Sequence, residues 1–190
     1  MYNNCMEKEV KTMIEDINGF RLPRYTQIPD VGLYLEQVVR YVNAHLAPLG
    51  EPELTSSMVS NYVKQGLIPS PIKKAYTAEH LARLLFIAVV KPVVPLEGLR
   101  LMFGIQEDNY PLQTAYDYFC DEFENMLGAA FGISPARDRI GKTQSDAKDL
   151  LRNTILATVN KVYLDRYLED YQKQRKNEMH SEKREPARGI

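Results

Sequence analysis

Nowhere in the 190 residues do apolar and polar side chains alternate long enough to seed a sizeable sheet, whereas apolar residues recur at three- and four-residue spacing through most of the chain. That periodicity predicts a mainly α fold, and Pro and Gly cut it into separate helices. Asp30 is placed to cap a first helix with the stripe Leu35, Val38, Val39, Val42 and Leu46, ending near Pro48. Thr55 caps a second, closed by Gly66, with Met58, Val59, Tyr62 and Val63 on its buried side. In "LIPSPIKKAYT", Pro69 and Pro71 fix φ and remove two backbone donors, which predicts an extended loop or tight ribbon.

Thr77 caps a third helix carrying Leu81, Leu84, Leu85 and Ala88, stopped by Pro92. A short fourth is predicted from Pro95 to Gly104, and Leu112, Tyr116, Phe119, Phe123 and Leu127 stripe a fifth up to Gly128. A long last helix starts near Thr143 or Ser145 and carries Leu151, Ile155, Val159, Val162 and Tyr163. The polar stretch from 172 to 190 is expected to be disordered. The resulting division is an N-terminal helix and linker over 1–29, a unit over 30–104, a helical unit over 105–171 and the tail.

Several function classes are disfavoured at once. Glu7, Lys8, Glu9 and Lys11 interrupt any secretory signal, and the longest apolar run, Leu84 to Val90, is far short of the roughly 20 residues of a membrane span, so a cytoplasmic protein with no membrane partner is expected. Cys5 and Cys120 lie in no CxxC and read as ordinary thiols. His45, His80 and His180 are dispersed, His80 suiting a surface or ribbon-packing role, and no metal, cofactor or catalytic constellation is read. Asp121, Glu122 and Glu124 read as a solvated face. "ARDRIGKT", 136–143, satisfies a loose phosphate-loop pattern, but no buried strand delivers it, so Thr143 with Asp146 reads better as a helix cap.

A net charge of −1 hides a segmental pattern. Residues 55–91 carry Lys64, Lys73, Lys74, Arg83 and Lys91 against Glu79 alone, between acidic neighbours. Such a basic island suits a polyanion. The second helix leaves Thr55, Ser56, Ser57, Ser60, Asn61, Lys64 and Gln65 to face outward, short polar side chains that fit a major groove about 12 Å wide. Ser57, Ser60, Asn61 and Lys64 are expected to face the groove, and Lys73, Lys74 and Tyr76 to meet phosphates from the ribbon.

Tyr62, Gly66, Leu67, Ile68 and Pro69, then Lys73, Lys74 and Tyr76, then Leu84 to Ile87, resemble the winged helix-turn-helix of MerR-type regulators, whose recognition helix ends in an aromatic-x-x-x-Gly-Leu-hydrophobic-Pro sequence before a basic wing. With "LPRYTQIPDVGLYLEQVVRYVN", 22–43, the stretch from about 20 to 105 more narrowly resembles the bacterial domain-of-unknown-function family 1836, described as MerR-like. The resemblance implies a sequence-specific regulator binding double-stranded DNA. The connection from Ala47 to Leu54 is longer than the usual helix-turn-helix turn, the wing has lysine where arginine is usual, and no cysteine matches the metal-sensing members. Because one winged helix reads only a short half-site, a homodimer through the last helix is expected. The aromatic residues of the last third read as core or dimer interface, with a small-molecule effector pocket as a lesser reading. The alternative function is an all-helical protein-interaction adaptor that uses the scaffold without binding DNA.

Overall fold

The computed structural model describes residues 15, 17–50, 53–135 and 145–182, with side chains as far as 177. Among them are six α-helices: α1 (Leu35–Leu46), α2 (Ser56–Lys64), α3 (Ala78–Val90), α4 (Leu96–Asn109), α5 (Leu112–Ala130) and α6 (Asp146–Glu182). The described residues contain no strand; pairing is limited to isolated antiparallel bridges, Leu33 with Tyr76 and Ile72 with Ala75. The chain is mainly helical, as the periodicity predicts.

The core is built around α3. Leu81, Ala82, Leu84, Leu85, Ile87 and Val90 are each 0% exposed, because their neighbours enclose this helix on most of its circumference. α1 packs against α2 and α3, α3 also meets α5 and α6, and α4 packs on α5 and α6. α5 and α6 form the most extensive helix pair. One continuous apolar cluster joins Val38 and Val42 of α1, Tyr62 of α2, Phe119 and Phe123 of α5, and Ile155 and Val159 of α6. Each such side chain contributes about 1.5–3 kcal/mol by leaving water.

Caps explain most of the boundaries. Thr55 Oγ1 accepts from Met58 N at 3.3 Å, opening α2, and Gly66 closes it at φ +68°. Ser145 opens α6, its Oγ accepting from Lys148 N at 3.3 Å. Asp30 caps no part of α1: its carboxylate accepts from Ala78 N at 3.3 Å, so it serves the first turn of α3 across 48 positions of sequence. α1 starts instead at Leu35, where Gln37 accepts from Tyr34 N at 2.9 Å.

Two expected ends are overrun. α4 passes through Gly104 to Asn109, so the expected boundary between 104 and 105 falls inside a helix, and glycine there costs some helix stability without breaking the hydrogen-bond ladder. α6 continues through Glu182 rather than dissolving at 172, to a length of about 55 Å. The 136–143 motif, Cys5, and the start of the expected N-terminal helix lie outside the described residues.

Of the acidic cluster on α5 only Asp121 is solvated; the two glutamates are not. Glu122 is 0% exposed and lies 3.0 Å from Arg152 Nη1 on α6. Glu124 receives both guanidinium arms of Arg24, at 2.7 and 3.0 Å, and the Leu22 amide at 2.8 Å; Asp121 takes Arg24 Nη2 at 2.7 Å. Asp117 accepts from Tyr25 N at 2.8 Å. The segment before α1 is therefore strapped along α5, with Phe20 edge-on to Phe123 at 6.1 Å.

Candidate nucleic-acid interface

α2 divides cleanly into two faces. Val59 and Tyr62 are 0% and 1% exposed, whereas Ser57, Ser60, Asn61 and Lys64, which share the opposite stripe at three- and four-residue spacing, are all exposed. The structure thus brings together the four residues expected to face a groove. Thr55 is exposed but its hydroxyl caps the helix, and Ser56 is half-buried at the stripe's edge. Gln65, exposed at the end of α2, donates from Nε2 to Asn61 Oδ1 at 3.2 Å, which engages that oxygen and orients the Asn61 amide.

After α2 the buried pair Leu67 and Ile68, each 2% exposed, anchors the chain before Pro69. Ile72 then bridges to Ala75, with the Ala75 amide donating to the Ile72 carbonyl at 2.9 Å, and Lys73 and Lys74 form the turn between them. Both lysines are exposed and both have positive φ, 49° and 65°, the non-glycine residues among those described that do so. A two-residue turn with φ positive at both centres normally takes Asn-Gly or Gly-Gly; an L side chain with a Cβ pays about 1–2 kcal/mol for that region. The base of this ribbon is pinned to the segment before α1 by reciprocal bonds between Leu33 and Tyr76, both 2.8 Å.

Tyr76 is not on the exposed face. It is 5% exposed, its ring packs edge-on to His80 at 5.3 Å, and burial pushes its hydroxyl pKa up. The phosphate contact expected of it is replaced by a packing role, because its amide and carbonyl pair with Leu33 and draw the ring against α3. His80 is likewise buried, at 5%: its Nδ1 accepts from the Thr77 amide at 3.0 Å, and burial holds its pKa below the ordinary 6.5. It ties the start of α3 to the ribbon.

One cation was illegible in the linear sequence. Arg100 of α4 lies at the end of α2, where a Cβ on Gly66 would sit 3.7 Å from its Nη1. It is exposed and pairs with Glu97 at 3.4 Å. Only the packing of α4 brings it there, since in sequence it lies 34 positions beyond Gly66, within the separate helix predicted from Pro95 to Gly104. Among the described residues no group of three His, Cys, Asp or Glu side chains is placed to hold a metal, and no helix is long and apolar enough to cross a membrane.

These features define a helical protein that presents one polar helix stripe and a ribbon tipped by two lysines. The chain belongs to the family described as Domain of unknown function (DUF1836), whose sequence profile matches residues 23–119, just over half its length and the whole of this surface. No curated protein and no solved structure matches it.

Proposed function

We propose that the protein is a sequence-specific DNA-binding transcription regulator of MerR-like, winged-helix type that acts as a homodimer. The order helix, turn, helix, ribbon, helix supports this reading, with residues 72–76 as a wing reduced to isolated bridges. The observation that carries it is the turn at Lys73 and Lys74: two exposed lysines occupy a conformation that glycine would fill without strain, and neither is needed for packing. Cations presented at a tight tip suit phosphates, and the small polar stripe of α2 suits base edges.

For the dimer, α6 supplies one exposed stripe at helical spacing: Leu156, Tyr163, Leu164, Tyr167, Leu168 and Tyr171. Its border carries both signs, Lys161 with Asp165 and Lys173 with Asp170, which a second antiparallel copy can complement. A second copy is the occupant that a two-fold operator requires.

The test is affinity for a random duplex across a salt series, followed by selection and sequencing of retained duplexes. A linear fall of log affinity with log salt is expected, with the slope reduced by about one in Lys73→Ala and in Arg100→Ala, and base preference relaxed in Asn61→Ala. An inverted repeat should emerge from the selection. Equal slopes for wild type and Lys73→Ala would remove the wing contact, and salt-independent, sequence-blind behaviour of the folded protein would instead favour a protein-binding adaptor.

A further inference from the structure

Between α3, α4, α5 and the first turns of α6 lies a cavity of about 180 Å³ that the interface has no use for. Phe86, Phe103, Phe119 and Tyr110 supply aromatic walls, and Ile105 and Leu150, exposed at 38% and 40%, mark its mouth. For scale, a cavity of about 150 Å³ with an apolar lining stays dry and holds a benzene ring.

The charges around it are already matched. Arg83 lies over the Phe103 ring at 4.9 Å and reaches Glu107 at 2.7 Å and Glu79 at 3.3 Å. Lys148 stands over the rings of Tyr110 and Tyr118 at 5.7 and 5.6 Å. An ionic ligand would have to break these arrangements, so the lining favours a neutral one. Gln106 is different. Its Nε2 donates to the Tyr110 carbonyl at 2.7 Å, which settles the orientation of the amide, and its Oε1 is left buried without a hydrogen-bond partner. A buried acceptor held in place with nothing to accept from keeps its full desolvation cost, which a donor relieves.

We propose that this cavity is a binding site for a small, neutral, planar aromatic compound of one or two fused rings that carries a hydrogen-bond donor, the rings lying among Phe86, Phe103 and Phe119 and the donor meeting Gln106 Oε1. α3 lines the cavity through Ala82, Arg83 and Phe86 and one turn earlier carries His80, which packs on Tyr76 at the base of the ribbon, so the occupant lies close to the proposed wing. The site does not rest on DNA binding and is tested without DNA.

Indole is the first probe, because the chain has no Trp and indole excited on the long-wavelength side of tyrosine absorption is read without a tryptophan background. Indene, of the same shape but without the N–H, is the comparator, followed by calorimetric competition. Wild type is expected to bind both saturably and to prefer indole by about tenfold. Gln106→Leu should keep indene and lose the preference. Ala115→Phe, placed in the lining, should lose both while its circular dichroism stays native. Absence of saturable indole binding to wild type would overturn the proposal, as would an undiminished indole preference in Gln106→Leu, which would leave solvent as the partner of Oε1.

Discussion

At the scale of single residues, the described structure depends on polar groups that sit among apolar ones. Arg24 is the clearest case: its side chain is 29% exposed, that of Glu124 only 9%, and removing the cation leaves a largely buried carboxylate with the Leu22 amide at 2.8 Å and Arg21 at 3.5 Å as its remaining partners. Arg24→Ala is expected to cost about 2 kcal/mol in chemical denaturation, and Glu124→Gln to recover part of that loss when combined with it, since the incompletely compensated charge is then gone. Coupling energy near zero in the double-mutant cycle would show the two to be independent. His80 gives a pH dependence with a definite sign. Because burial lowers its pKa in the folded state, the unfolded chain binds the proton more readily. Its contribution is therefore fully present above the unfolded value of 6.5 and is lost as the pH falls through the lower folded value. The drop in melting temperature from about pH 7 to about pH 5 should be smaller in His80→Gln, which can keep the cap at that position. Glu79 opposes the shift and Arg83 favours it, so both stay unchanged in that comparison.

At the scale of elements, the ribbon turn separates stability from binding. Lys74→Gly relieves a left-handed lysine and should raise the melting temperature by about 3 °C, corresponding to about 1 kcal/mol, while weakening duplex binding and lowering the salt slope. Most single substitutions move the two properties together or only one of them. A gain in stability with unchanged duplex affinity would count against Lys74 as a phosphate contact. Gly32, at φ +72° and with a built Cβ only 3.1 Å from that of Ala75, shows how closely the segment before α1 approaches the ribbon base. The same closeness accounts for Tyr76 turning inward.

At the scale of the whole molecule, the apolar stripe of α6 leads to a concentration-dependent property. Leu164→Glu with Leu168→Glu, both 54% exposed, should leave the melting temperature at low protein concentration nearly unchanged and convert the proposed dimer to a monomer in analytical ultracentrifugation. A wild type that sediments as a monomer at all concentrations would remove α6 as a dimer element.

Helix existence, most helix starts and the polar stripe of α2 were legible from the sequence because they depend on contacts within one or two turns: the Thr55 cap, the stop at Gly66, the three- and four-residue spacing of Val59, Tyr62 and Val63. Composition and spacing also determined that no sizeable sheet would form. What the tertiary structure alone decided depends on groups far apart in sequence. Asp30 caps α3 instead of α1, Glu124 binds Arg24 instead of water, Tyr76 is buried instead of exposed, Arg100 arrives beside Gly66, and Gln106 is left with an unused acceptor over a cavity. Linear pattern carries the period of an element, and so the face it will bury; it does not carry which distant polar group will meet that face, because that is set by the packing of all the described helices at once.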